Sequence, residues 1–261
     1  MSCKGRHANI PARTVARRNT PTQPMLPRLL TRDPARSPRF VVLPGLDGTG
    51  LLLQAFAAEL CALGPVEVRR YPTDGPQDYA SLAAAMAPVG AGDVLVAESF
   101  GGPLAIALAA RAEPPPRALV LCASFATSPR PGLRSWATLL RRLPLPLPPK
   151  RLAAAALFGS WTAPALSEAL GQALAAVPMP VLRARLDAAL CADVRAELQA
   201  SRCPLLYLRA NADRLVPPTA PATIARLRPE ATGVDLAAPH GVLQVAAPAA
   251  VDAIARFLAN A

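Results

Sequence analysis

The sequence predicts an α/β protein whose mostly parallel sheet is covered by helices on both faces and interrupted by a helical insertion ahead of its last two strands. Three observations lead there. Short apolar runs alternate with helical stretches from about residue 38 onward. The runs are apolar at consecutive positions, as in strands buried on both faces. The alternation stops between residues 127 and 201 and then resumes. A chain of 261 residues that is 52% hydrophobic can bury a substantial core as one large domain.

Residues 1–37 are rich in Arg, Pro, Thr and Asn and show no apolar period, so a disordered basic tail is expected there. The tail is Arg-rich like a transit peptide but lacks a clear amphipathic helix and the apolar core of a secretory signal. Met1–Arg39 carries nine Lys or Arg and one acid, leaving 19 basic and 16 acidic groups in the other 222 residues. Most of the net charge of +11 therefore sits in the tail, and the remainder carries only +3. No basic stripe interleaved with aromatics is present, and no nucleic-acid partner is expected.

The first part of the core spans residues 38–126. Phe40–Leu43 is an apolar strand closed by the proline and glycine loop Pro44-Gly-Leu-Asp-Gly-Thr-Gly50, and Leu51–Leu63 has helical character. A strand at Val66–Tyr71, a turn at Thr73–Pro76 and a helix at Asp78–Ala87 follow. Next come a strand at Val94–Glu98, a helix at Phe100–Arg111, a break at Glu113–Pro116 and a strand at Ala118–Ala123. Residues 127–201 contain helical stretches at Leu152–Leu157, Pro164–Ala176 and Val181–Gln199, preceded by the proline-rich Arg142–Lys150. They are expected to form a helical cap or lid whose Leu, Ala, Trp136 and Trp161 suggest an apolar pocket. The second part of the core, 202–261, holds strands at Pro204–Arg209 and Thr232–Leu236, a helix running to about Arg228, and a closing helix at Val242–Leu258.

Strand Val94–Glu98 runs into Ser99 and out through Gly101 and Gly102 into an alanine-rich helix. A serine with small residues two before (Ala97) and two after (Gly101) fits a nucleophile elbow, a tight strained turn where bulky neighbours would clash. A serine hydroxyl needs a base, and the base needs an orienting group. His7 and His240 are the only histidines, and His240 alone lies in the core, in Pro239-His-Gly241 just past the last strand. Asp213 follows the preceding strand. Ser99, Asp213 and His240 thus each lie beyond the carboxyl end of a strand, where open parallel sheets place their sites. The backbone N–H groups of Phe100 and of Leu46, after Pro44-Gly45, are the expected oxyanion donors. That glycine-rich loop lacks the lysine and hydroxyl residue of a phosphate loop and the spaced glycines of a dinucleotide fingerprint. Glu98 and Asp47 flank the site, and a structural or solvated role is expected for both.

These motifs, in this order, resemble the α/β-hydrolase superfamily over residues 38–260. Leu43-Pro-Gly-Leu-Asp-Gly-Thr-Gly50 together with Glu98-Ser-Phe-Gly-Gly102 is also similar to the hydrolase part of phytyl ester synthase and related acyltransferases. Pro44 stands where many superfamily members have histidine, and no second acyltransferase domain is recognisable.

The expected function is a serine hydrolase that cleaves a small-molecule carboxylic ester or thioester through an acyl-enzyme. Acyl transfer to an alcohol by the same residues is the alternative. A non-catalytic small-molecule binding protein on the same fold is the alternative of another class. No cofactor is expected. No metal is expected either, because the five cysteines (Cys3, Cys61, Cys122, Cys191, Cys203) are widely spaced and lack a Cys-x-x-Cys pair, and histidines are scarce. The cysteine usage fits a reducing, cytoplasmic setting. No uninterrupted apolar run reaches eighteen residues, so no stable membrane insertion is expected. The sequence does not indicate an oligomeric state.

Overall fold

The computed structural model describes residues 37–133 and 149–261. The expectations for the tail short of Ser37, for Trp136 and for most of the proline-rich run lie outside the described residues.

Six strands form one sheet, all neighbours parallel, in the order β2-β1-β3-β4-β5-β6. They are β1 (Arg39–Leu43), β2 (Val66–Val68), β3 (Asp93–Glu98), β4 (Ala118–Cys122), β5 (Leu205–Ala210) and β6 (Thr232–Leu236). Val42 lies opposite Val96, Val96 opposite Val120 and Val120 opposite Leu206, so one apolar row crosses the middle of the sheet.

Consecutive apolar residues are needed in the four inner strands, β1, β3, β4 and β5, because each of them feeds two cores. Val41, Leu43, Leu95, Ala97, Leu119 and Leu121 face one layer, with α2 (Tyr79–Ala85), α3 (Gly101–Arg111), Leu198 of α7 (Arg195–Ala200) and Ile224 of α8 (Thr219–Leu227). Phe40, Val42, Val94, Val96, Val120 and Leu206 face the other. There they meet Phe56 and Leu60 of α1 (Gln54–Leu60) and Ile254 and Leu258 of α10 (Ala247–Asn260). Spacings of four residues, as in Phe56/Leu60 and Ile254/Leu258, put each helix's apolar stripe on one side. Burying such a side chain fully is worth roughly 1.5–3 kcal/mol. At the amino ends of β1 and β3 the Arg39 guanidinium grips Asp93 through two bonds of 2.8 and 2.7 Å.

Between β4 and β5 the described residues include α4 (Lys150–Phe158), α5 (Pro164–Ala175), α6 (Met179–Leu190) and α7. Ala154, Phe158 and Leu170 of α4 and α5 form a small cluster of their own against Leu52 and Val245. The chain leaves and returns through a short antiparallel contact. Thr127 pairs with Asp193, Ser128 N–H donates to Ala192 O (2.8 Å), and Val194 N–H donates to Ala126 O (2.9 Å). Among the described residues no single helix is long and apolar enough to cross a membrane. The pair α5 and α6 reaches that length and composition together but is bent by 102° at its break.

Three elements differ from expectation. The strand after α1 stops at Val68, because Tyr71 turns away to donate its backbone N–H to Gly48 O in the loop after β1 (2.9 Å). The stretch 181–199 is two helices, interrupted where Thr127 pairs with Asp193. The closing helix is also two, α9 (Val242–Val245) and α10, with Ala246 outside helical geometry between them. Pro248 explains that break, since it has no N–H for the Gln244 carbonyl and its ring would collide with it.

Candidate active site

One residue past β3, Ser99 has a φ of +50°. This left-handed conformation costs a non-glycine residue about 1–3 kcal/mol and persists only where the surroundings impose it. They do so here. Ser99 N–H donates to Cys122 O (2.9 Å), Gly102 N–H donates to Ser99 O (3.0 Å), and the buried Ser124 hydroxyl donates to the same Ser99 carbonyl (2.7 Å). Gly101 is required by close approach: a Cβ there would lie 2.7 and 2.8 Å from the carbonyl oxygens of Pro44 and Leu43. The start of α3 thus sits directly on the end of β1.

His240 lies in the loop between β6 and α9. Its Nε2 is 2.8 Å from Ser99 Oγ and its Nδ1 is 2.8 Å from Asp213 Oδ2. The imidazole and the carboxylate are buried, their side chains 4% and 8% exposed. Asp213 is itself fixed, since its Oδ1 accepts from the backbone N–H groups of Leu215 (2.8 Å) and Val216 (2.9 Å). One carboxylate oxygen closes the turn after β5 and the other meets the ring. The histidine loop is held from outside the sheet, where Gly241 N–H donates to Leu157 O of α4 (2.9 Å).

Phe100 opens α3 and is buried, its ring tilted against Tyr71 (centroids 5.8 Å apart) and Tyr79 (4.8 Å). Among the described residues, neither Phe100 N–H nor Leu46 N–H donates to a protein acceptor.

No protein-family model matches the sequence, and no curated protein does. Solved structures do match. The enol-lactonase from Burkholderia xenovorans LB400 superposes with a TM-score of 0.71 at 18% identity, covering 85% of this chain and 92% of that one. A thermophilic esterase from Thermogutta terrifontis gives 0.69 at 23% identity, over 85% and 90% of the two chains. A lipase-esterase related protein from Clostridium acetobutylicum ATCC 824 gives 0.70 at 14%, over 86% and 96%. The chain has the α/β-hydrolase fold.

Within this α/β-hydrolase fold the two flanking acids are inward-facing and hydrogen-bonded. Asp47 accepts from Thr49 N–H (2.9 Å) and from the Thr49 hydroxyl, which shapes the turn after β1. Glu98 is 6% exposed and accepts from Leu243 N–H (3.3 Å) and Gln244 Nε2 (2.8 Å) at the start of α9. Burial pushes its carboxyl up to about 7, against the opposing pull of the Gln244 hydrogen bond. Trp161, by contrast, is 41% exposed.

Sequence reasoning missed Arg185, Tyr71 and Ser124. Arg185 is fully buried on α6, and a signal for it existed: Val181, Leu182, Arg185 and Ala189 share one helical stripe, with arginine on the apolar side. Tyr71 donates its hydroxyl to Pro44 O (2.6 Å), and burial pushes that phenol well up.

Proposed function

We propose that the protein is a serine hydrolase that cleaves a carboxylic ester or thioester through an acyl-enzyme. The observation that carries this reading is the His240 ring held between Ser99 Oγ and Asp213 Oδ2 at 2.8 Å on each side. Ser99 Oγ attacks the acyl carbonyl and passes its proton to His240 Nε2. Asp213 holds Nδ1 protonated and stabilises the imidazolium. The carbonyl oxygen becomes an oxyanion and takes hydrogen bonds from the N–H groups of Leu46 and Phe100; removing one such donor typically costs about 10²–10³-fold in kcat. The intermediate collapses as the proton on Nε2 moves to the leaving alcohol or thiol. Water, deprotonated by His240, then attacks the acyl-enzyme, and the proton returns to Ser99 Oγ as the carboxylic acid departs.

The likeness in fold to an esterase and an enol-lactonase supports hydrolysis of an acyl bond. The test is turnover of p-nitrophenyl esters of graded acyl length by the wild type and by Ser99→Ala, with product analysis in the presence of a long-chain alcohol. The expected result is release of free acid by the wild type and loss of at least about 10³-fold in the variant. Full activity in Ser99→Ala refutes the mechanism. Ester formation in place of free acid assigns the same residues to acyl transfer.

A further inference from the structure

We infer that Arg185, from α6, is a positioning residue that sets the direction of the Leu46 N–H by clamping the loop after β1; this rests on the hydrolase reading above.

Arg185 has no exposed surface, yet among the described residues no carboxylate bonds it directly. Its partners are oxygens of neutral groups. Nη1 donates to Asp47 O (2.6 Å) and Leu46 O (3.2 Å), Nη2 to Pro72 O (2.9 Å) and Nε to the Gln77 side-chain oxygen (2.9 Å). The guanidinium carbon lies 5.4 Å from the centre of the Tyr71 ring, a cation–π distance. A buried cation carries a large desolvation cost, and here burial pushes the guanidinium down from its ordinary value while Tyr71 and Asp47 oppose that shift. A neutral residue would fill the space without that cost, so what the arginine adds is directional: several donors in one rigid plane.

One of those donors, Nη1, serves the loop after β1, while Nη2 and Nε anchor the guanidinium to Pro72 and Gln77 beyond β2. Each peptide unit from Pro44 to Gly48 has its carbonyl taken. Pro44 O accepts from the Tyr71 hydroxyl (2.6 Å), Gly45 O from Gly48 N–H (3.1 Å), and Leu46 O and Asp47 O from Arg185. The N–H of Leu46 belongs to the peptide plane that carries the Gly45 carbonyl, and in a trans peptide the two point in opposite directions. Fixing Gly45 O toward Gly48 therefore aims Leu46 N–H away from the turn, and Arg185 fixes the next two planes so that the turn cannot unwind. Gly48 has a φ of +66°, and a Cβ there would lie 2.6 Å from Arg185 Nη1 and 2.5 Å from the Tyr71 ring. The turn, the tyrosine and the arginine are packed as one unit. Arg185 touches no reacting atom in this scheme; it acts through the backbone of Leu46.

The test uses the full chain carrying Arg185→Met, with Arg185→Lys as the conservative variant. In Arg185→Met, kcat is expected to fall about 30–300-fold with KM within about threefold, because the loss is confined to the developing oxyanion. Affinity for a trifluoromethyl ketone inhibitor, whose adduct with serine carries the same oxyanion, is expected to fall in parallel with kcat/KM. Arg185→Lys recovers part of both. Hydrogen exchange of the peptide spanning residues 44–50 is expected to speed up in both variants. Unchanged kcat and inhibitor affinity in folded Arg185→Met overturns the inference, as does unchanged exchange in 44–50. If Arg185→Met does not fold, Gln77→Leu, which removes the Nε partner together with the Gln77 amide's bonds to Asp74 O and Gly75 O in its own turn, decides by the same readings with a smaller expected loss of about 3–10-fold. A wild type without acyl hydrolysis counts against the hydrolase reading alone, since the exchange measurement still decides whether Arg185 holds the loop.

Discussion

Glu98→Gln isolates one buried carboxyl group. An ordinary glutamate titrates near 4.5, and burial against α9 pushes Glu98 to about 7. In the window between those values the folded protein holds a proton that the unfolded chain has already lost. Stability from this group is therefore lost as pH rises through the window and is unaffected below it. Each unit of difference corresponds to about 1.36 kcal/mol, which gives a loss of about 3 kcal/mol between pH 4.5 and 8. Glutamine keeps an oxygen for the Leu243 N–H, and the Gln244 amide can turn its own oxygen toward the new NH₂, so the contacts survive while the titration disappears. Urea unfolding of both proteins at pH 5, 6, 7 and 8 is the assay. The variant is expected to match the wild type near pH 5 and to exceed it by about 3 kcal/mol at pH 8. Parallel stability curves across that range would refute the reasoning.

Two further predictions concern the candidate site. In Asp213→Asn the backbone N–H groups of Leu215 and Val216 claim the amide oxygen, which leaves the NH₂ facing His240 Nδ1. The ring proton then moves to Nε2, and steady-state kinetics are expected to show kcat down by about 10³–10⁴-fold with the fold intact. Ser99→Gly removes the penalty of φ +50° at the cost of a more flexible unfolded chain. A net gain of about 1 kcal/mol, or a rise of about 2–4 °C in Tm, is expected with turnover abolished, and a lower Tm by calorimetry counts against strain at the elbow.

The parallel sheet was legible because its four inner strands are apolar at consecutive positions, a pattern that two-sided burial requires. The serine, aspartate and histidine that meet were legible because each follows a strand and the core holds a single histidine. What stayed hidden depends on contacts remote in sequence. The early end of β2 is decided by a bond between Tyr71 and Gly48, and the break before Val194 by Thr127, some 65 residues away. The break before α10 was local and readable from Pro248, but the apolar period runs on across it. Arg185 is hidden because a charged side chain ordinarily lies at the surface, although the apolar stripe on which it lies argues for the interior.

The short backbone contact where the chain leaves β4 and returns to β5 makes a stem. Below it, the Tyr207 hydroxyl donates to Ser124 O (2.7 Å) and accepts from Ser124 N–H (3.2 Å), so the two strands are already fastened to each other beside the elbow. Closing a longer loop on such a stem adds only about 0.6 kcal/mol per doubling of its length. By this arithmetic, lengthening the chain between Thr127 and Asp193 is expected to cost little at the stem itself. Among the contacts such a change has to preserve are the carbonyl where Leu157 meets Gly241 and the guanidinium where Arg185 meets the loop after β1.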